Sequence, residues 1–254
     1  MRRFLRVLAH EWRCLWLSPA SYVAGVLFLL LLGLLYWAIL RGFTLFPQEE
    51  TPATQFYRVF WIPVFFVVPL LTMRSFAEER RTGMLERTLT TTVRPVQLVL
   101  AKFAAIYGFY VLLWAATLLF PWIAVQGTSL EAGRRLLYDL PSLWGGLLFV
   151  AVSGLLFISL GLFCSSLSRS QLVGGILAFA GLFLVIAGSR LLLEIPQVTP
   201  AAPGVFEGPV RYLQVFEHLL DFSQGIVDTR PFLFYLSGTV LFLFLTTVAV
   251  ERRL

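Results

Sequence analysis

Charged residues are scarce in this sequence, and so are the residue types on which most metal and catalytic sites depend. Only 13% of its 254 residues are charged, whereas about a quarter of the residues in a typical soluble domain are. The chain has one lysine, two cysteines and two histidines, against 58% hydrophobic residues and a mean hydropathy of +0.82. So few polar groups cannot cover a water-exposed surface. The composition therefore predicts an integral membrane protein.

The single lysine excludes one route to ATP hydrolysis. A P-loop needs Gly-Lys-Ser/Thr after a glycine-rich turn, but Lys102 follows Ala101. No grouping of serine, cysteine or carboxylate residues indicates a hydrolase either. We therefore assign no catalytic residue, and we expect the chain itself to bind no cofactor.

Metal chemistry is equally poorly supported. His10 lies near Cys14 and His218 lies near Asp221, so each pair offers two ligands at most, whereas protein zinc sites take three or four. We expect surface or interfacial packing for both histidines. Cys164 and Cys14 are too few for a disulfide framework and are expected to be free thiols.

Long apolar runs are what the sequence has in abundance. A helix needs about 20 mostly apolar residues to cross a bilayer, and six runs reach that length: 21–40, 57–76, 99–125, 143–168, 171–193 and 231–250. The predicted fold is all-α, a single polytopic transmembrane domain over 1–254. The runs carry almost no ionisable groups. This argues against an ion-coupled carrier, because such carriers place carboxylates or histidines near the bilayer midplane.

The basic residues predict the orientation of this bundle. Six spans put both termini on one side, with thirteen cations there and seven on the other side. By the positive-inside rule the richer side is cytoplasmic, and no nucleic-acid partner is needed to explain the net charge of +6. The thirteen are Arg2, Arg3, Arg6, Arg13, Arg74, Arg80, Arg81, Arg87, Arg94, Lys102, Arg169, Arg252 and Arg253.

The first eighteen residues form a basic amphipathic pattern. On a helix, the cations and His10 share one face, while Phe4, Leu5, Leu8, Trp12 and Leu15 share another. We expect a helix over 1–18 that lies on the inner membrane surface. The residues assigned to the membrane interface, including one at the inner end of the second span, are Arg3, Arg6, Trp12, Arg13 and Arg74.

Two of the predicted connections between spans stand out, one by its length and the other by its charge. Residues 194–230 form the longest one, an extracytoplasmic loop with a short interfacial helix in VRYLQVFEHLLDF. The connection FAEERRTGMLERTLTTTVRP, residues 76–95, concentrates charge of both signs on the cytoplasmic side. It is too polar to enter lipid.

This charged connection resembles the signature region of ABC-2 type permeases, the membrane subunits of one class of ATP-binding-cassette transporters. Their pattern is broadly Glu-Arg/Lys-x-x-Gly-Thr-x-Glu, then Pro, then Gly/Ala-Lys, and the matching residues are Glu79, Arg80, Gly83, Glu86, Pro95 and Lys102. HEWRCLWLSPASYV is similar to the N-terminal helix of the family. SLGLFCSSLSRSQLVGGILAF and FEHLLDFSQGIVDTRPFLFYLS resemble segments before the fifth and last spans. Together they are most similar to the gliding-motility-associated branch.

The resemblance implies that 77–95 contains a cytoplasmic coupling helix that docks on a separate ABC ATPase subunit. The residues it assigns to coupling are Glu78, Glu79, Arg80, Arg81, Gly83, Glu86, Arg87 and Pro95. It also implies a bacterial inner (cytoplasmic) membrane, contact with membrane lipid, a second permease copy or homologue, and ATP with Mg²⁺ bound by the partner subunit. The substrate class it favours is amphiphilic: a lipid, polysaccharide, drug or peptide.

Two alternatives remain at this point. An ATP-independent membrane scaffold or assembly protein would keep the spans and the N-terminal helix without needing the coupling pattern. Within the family, a permease for copper-enzyme maturation is the other, although the spans lack a clustered Cys, Met or His set.

Overall fold

The computed structural model describes residues 2–45, 50–81, 94–127, 133, 137, 139–188, 214–223 and 229–252. In these ranges the structure is helical and contains no strand. Its helices, numbered in chain order, are α1 (Arg2–Leu17), α2 (Pro19–Leu45), α3 (Pro52–Arg58), α4 (Trp61–Arg81), α5 (Pro95–Ala116), α6 (Leu119–Gln126), α7 (Leu140–Leu167), α8 (Gln171–Ile186), α9 (Val215–Ser223) and α10 (Thr229–Glu251).

Five stretches of these helices are long and apolar enough to cross a membrane. They are Pro19–Phe43, Trp61–Arg80, Pro95–Gln126, Leu140–Leu167 and Thr229–Glu251. The fifth span predicted from the sequence corresponds to α8, which has 16 residues and falls short of that length in the described chain. The predicted third span consists of two helices, α5 and α6, because the chain turns at Thr117 and Leu118.

Local sequence explains several helix starts. Proline stands at the first turn of α3, α5 and α7, where its missing N–H costs nothing. Thr51 caps α3 by accepting a hydrogen bond from the backbone N–H of Thr54 at 3.4 Å. Such caps satisfy donors that the first turn of a helix would otherwise leave unpaired.

Helix α7 lies at the centre of the bundle, with 72% of its most apolar window buried, against 28% for α2 and 22% for α10. It packs along α4 in a parallel, in-register arrangement. Tyr57 and Phe60 precede α4 and contact Gly146 and Phe149, and within α4 Thr72 contacts Gly161. Each pair is 89 positions apart, the separation that also joins Phe76 to Ser165. Glycine in α7 is what allows this close approach, as in other tightly packed membrane helices.

The remaining contacts with α7 give the directions of α8 and α10. Gly174 of α8 lies near Ser165, and Gly181 lies near Leu160, so α8 runs antiparallel to α7. Gly238 of α10 packs on Leu156, and further along α10 Phe242 packs on Phe163, so α10 runs parallel to α7. Helices α4, α7 and α10 therefore share one direction.

Two ends of the bundle can be distinguished. We call the end that holds Lys102 the charged end. It contains α1 and the C-terminal ends of α4, α7 and α10. The opposite, aromatic end contains α3 and α9, with rings stacked or edge-on between helices. There His218 of α9, for which a surface or interfacial position was expected, is buried 3.3 Å from the Tyr235 hydroxyl of α10.

Candidate functional site

The only lysine of the chain forms the centre of a buried group of charges. Lys102 is 3% exposed, and its Nζ donates to Glu79 Oε1 at 2.6 Å and to Glu11 Oε1 at 3.0 Å. An ammonium group removed from water without partners would cost several kcal/mol. The two carboxylates compensate that cost. We refer to Glu11, Glu79 and Lys102 as the ion-pair cluster.

Three helices bring this cluster together. Glu79 lies near the end of α4 and Lys102 lies two turns after the start of α5, so the two residues flank the connection between these helices. Glu11 comes from α1, on the far side of the Lys102 ammonium. The cluster therefore joins the N-terminal helix to the two helices on either side of the charged connection.

Packing on α5 sets the position of α1. The ring of Trp12 occupies the space beside Gly108, where an added Cβ would lie 2.7 Å from a ring carbon. One turn further, Trp16 meets Phe109 edge-on with ring centroids 5.8 Å apart. A larger residue at 108 would push the tryptophan, and with it Glu11, away from Lys102.

A cleft of about 340 Å³ opens beside the cluster, between α1, α2, α4 and α5. Its polar lining includes His10, Glu11, Cys14, Arg74, Glu79 and Lys102. A second cleft of about 300 Å³ continues between α2 and α4 and is lined by apolar side chains; the two share Ala24 and Leu70. The combined surface passes from charged to apolar along the depth of the bundle.

Histidine and cysteine at this cleft face each other but do not form a larger ligand set. Cys14 Sγ lies 3.6 Å from His10 Nε2. Partial burial and the nearby Glu11 carboxylate raise the pKa of the Cys14 thiol, which favours its protonated form. Among the residues that the structure describes, no group of three or more His, Cys, Asp or Glu side chains could hold a metal ion.

Ser165 makes a second link at the charged end, and the sequence reasoning missed it. Its hydroxyl donates to the Met73 carbonyl at 3.1 Å and accepts from the backbone N–H groups of Phe76 and Ala77 at 3.2 and 3.4 Å. The serine thus inserts into the backbone hydrogen bonds of α4.

The structure separates the residues that the sequence assigned to coupling. Glu79 faces inward to Lys102, whereas Glu78 pairs with Arg74 at 3.4 Å on the surface, with side chains 39% and 42% exposed. Arg80 and Arg81 are the last residues of α4, and Pro95 is the first of α5. Gly83, Glu86 and Arg87 lie outside the described residues.

The residues assigned to the membrane interface lie at the same end of the bundle. Arg3, Arg6, Trp12 and Arg13 belong to α1, and Arg74 belongs to α4. Arg13 is exposed, while Trp12 is half-buried against α5.

Fold and site together define a multi-pass helical membrane protein with a charge-paired end. A family model described as ABC-2 family transporter protein matches residues 40–213, which is more than half of the chain. The chain therefore belongs to this family of non-catalytic transporter components, and membership implies an ATPase partner in an ABC transporter. A search of curated proteins returned no match. The matched range contains Glu79, Lys102 and Ser165, but not Glu11.

Proposed function

We propose that this protein is the permease subunit of an ATP-driven transporter, and that residues 77–95 are the surface on which its ATPase subunit docks. ATP and Mg²⁺ would be bound by that partner. Binding or hydrolysis would displace the connection between α4 and α5, and the bundle would change its opening across the membrane in response.

The observation that carries this proposal is the bond between Glu79 and Lys102 in a member of the ABC-2 family. It ties together the two helices from which the charged connection emerges. A docking segment can transmit displacement only if its base is rigid, and a buried pair at 2.6 Å supplies that rigidity. We propose that charges beyond the base, such as Glu86 and Arg87, select the partner.

Helix directions favour six crossings of the membrane. Because α7 and α10 run parallel, the chain between them must return across the full depth of the bundle. Helix α8 makes this return: it follows α7 after a three-residue turn and packs antiparallel to it from Gly174 to Gly181. An α-helix rises about 1.5 Å per residue, so its 16 residues span most of the hydrocarbon layer, about 30 Å thick.

An even number of crossings puts both termini on the same side of the membrane. We propose that this is the cytoplasmic side of a bacterial inner membrane. The charged end carries Arg74, Arg94, Arg169 and Arg252, whereas fewer described cations lie at the aromatic end. This bias agrees with the positive-inside rule. The charged connection would then face the compartment that contains ATP.

The two clefts suggest a class of substrate and a place for a second subunit. The joined clefts offer charged groups at one depth and apolar walls at another, which suits an amphiphilic substrate such as a lipid, polysaccharide, drug or peptide. A second copy of the chain or a homologue would complete the transport path. Within the family we place the protein nearest the gliding-motility-associated branch, on the segments quoted above.

Co-purification tests the partner. A P-loop ATPase encoded beside this protein should co-purify with it in detergent or nanodiscs. Reversing Glu86 and Arg87 together should weaken the complex, because both charges belong to the proposed docking surface. Glu79 is a poor choice for this test, since its reversal would also disrupt the ion-pair cluster.

The matched control reverses Arg58, an exposed residue at the aromatic end, which should leave the complex intact. Full ATPase binding and full stimulated ATP turnover in the Glu86/Arg87 reversal would contradict the docking role.

Cysteine labelling tests the orientation. A cysteine replacing Gly83 should react with a membrane-impermeant maleimide only from the cytoplasmic side, in a variant lacking Cys14 and Cys164. Labelling from the opposite side would overturn the proposed topology.

A further inference from the structure

Helix α1 is attached to its two neighbours in different ways. On α5 it is held by shape, through Trp12 beside Gly108 and Trp16 against Phe109. Towards α4 it faces the 340 Å³ cleft, and at the lining of this cleft Glu11 pairs with Lys102 of α5, which also pairs with Glu79 of α4. The connection from α1 to the end of α4 therefore runs through charge.

Charge balance alone does not require Glu11. The Glu79 carboxylate, at 2.6 Å, already neutralises Lys102. A second carboxylate places two like charges around one ammonium, which is unfavourable in a partly buried site. Glu11 and Glu79 are only 18% and 25% exposed. An interaction of this cost between helices indicates a positional role.

We propose that Glu11 is a positioning residue that, through Lys102, fixes the N-terminal helix to the end of α4, so that α1 moves together with the charged connection. The proposal rests on the proposed function for the source of movement, but the attachment itself exists in the isolated chain. When the ATPase displaces the ends of α4 and α5, α1 keeps its position against both helices.

This attachment gives α1 control of the cleft. Helix α1 provides His10, Glu11 and Cys14 to one wall, and α4 provides Leu70 and other residues to the facing wall. With Glu11 in place the two walls keep a set separation. Without it, α1 keeps its ring contacts with α5 at Trp12 and Trp16, but its N-terminal half can tilt and the separation of the two walls is no longer fixed.

Removal of Glu11 is a selective experiment because it leaves no buried charge unpaired. In Glu11→Ala, Lys102 keeps Glu79, and alanine is the best helix former. The control is Glu251→Ala, which removes an exposed glutamate at the same end of the bundle. Glu11→Gln, which keeps the size of the side chain, provides a second variant if Glu11→Ala folds poorly.

The readout is a distance between α1 and α4. Nitroxide labels are placed at Leu5→Cys and Leu70→Cys, both exposed leucines, in Cys14→Ser/Cys164→Ala protein in nanodiscs without ATPase. The parent and Glu251→Ala should give one narrow distance distribution. Glu11→Ala should add a longer distance or broaden the distribution, and Glu11→Gln should do so to a smaller extent. Unchanged distributions in both Glu11 variants would overturn the proposal.

Measurements on the complex separate this proposal from the proposed function. With the ATPase bound, Glu11→Ala should bind the partner normally. On addition of ATP, the labels at Leu5 and Leu70 should keep one narrow distance in the parent complex but not in the Glu11→Ala complex. One narrow distance in the Glu11→Ala complex with and without ATP would overturn the coupled movement of α1. A broadened distance in Glu11→Ala, together with a parent complex whose ATPase partner shows no stimulated ATP turnover, would uphold the attachment and refute the ATP-driven function.

Discussion

The two ends of the bundle are held by different kinds of interaction. At the charged end, α1, α4 and α5 meet at the ion-pair cluster, and Ser165 joins α7 to the α4 backbone. At the aromatic end, Tyr57 stacks on Trp114 with ring centroids 6.2 Å apart and packs over Gly146. The first end relies mainly on paired charges and hydrogen bonds, whereas the second relies mainly on ring packing, with a few hydrogen bonds between helices such as that of His218 with Tyr235.

This difference has consequences for movement. Close-packed rings and glycines admit few alternative arrangements, because any shift creates overlap or a void. At the charged end a cleft leaves space beside α1 and α4, while the ion-pair cluster keeps α1, α4 and α5 together. The charged end can therefore move as a unit with the proposed docking segment, whereas the aromatic end has little room to rearrange.

Loss of the central ammonium should have the largest effect. In Lys102→Met, Glu11 and Glu79 lose the ammonium that both contact, and breaking a buried pair in this way costs about 3–5 kcal/mol. Reversible unfolding in bicelles with added SDS measures the loss. Combining Lys102→Met with Glu11→Gln and Glu79→Gln should recover most of the stability, since no unpaired charge remains. A fully stable single variant would show that the cluster is not buried.

Overlap at the aromatic end should have the next largest effect. A Cβ at Gly146 would collide with the Tyr57 ring, so Gly146→Ala should destabilise the protein by about 1–3 kcal/mol, the usual cost of overpacking. The control is Gly42→Ala in α2, where nothing lies within 4 Å. That change should be neutral or slightly stabilising. Equal effects at the two glycines would contradict the packing described here.

Loss of the Ser165 hydrogen bonds should lower stability less than Lys102→Met or Gly146→Ala does. Ser165→Ala removes hydrogen bonds to Met73, Phe76 and Ala77, and we expect a loss of about 1 kcal/mol. Ser237→Ala is the matched control, because Ser237 is exposed and donates only within its own helix, to Phe234. Hydrogen exchange at the Phe76 and Ala77 amides should rise in the Ser165 variant alone. Unchanged exchange at both amides would argue against the link.

The exposed ion pair at the charged end should have the smallest effect. Arg74 and Glu78 lie on the surface of α4 at 3.4 Å, and exposed pairs of this spacing contribute about 0.3–0.5 kcal/mol. Arg74→Gln should therefore change stability by less than about a fifth of the effect of Lys102→Met. A comparable loss in the two variants would mean that burial does not distinguish the pairs.

The course of the apolar helices could be predicted from the sequence, because a bilayer demands about 20 apolar residues whatever the neighbours are. The predicted spans at 21–40 and 231–250 each fall within one helix of the structure, and the span at 143–168 runs one residue past the end of α7. The break at Thr117 was not predicted, since Thr117 and Leu118 lie in the middle of a continuous apolar run. Hydropathy measures composition and does not detect a turn made by backbone hydrogen bonds.

The residues of the charged connection could be located from the sequence but not oriented. Glu78 and Glu79 were given one role, yet one side chain lies on the surface and the other pairs with Lys102. Adjacent helical positions differ by about 100° around the helix axis, so the side that faces the bundle is known only once the neighbouring helices are in place. Whether Glu79 also influences ATPase binding stays a prediction.

The sequence by itself determined that this is a membrane protein. It also determined which segments are apolar enough to cross the bilayer and which connection carries charge. Those properties are local, because the bilayer imposes the same requirement on every span. The tertiary structure alone decided that the only lysine joins Glu11 to Glu79, residues far apart in the chain. A buried charge takes whichever partner the packing of helices brings within about 3 Å, and that packing is set by Trp12 on Gly108 and by α4 along α7.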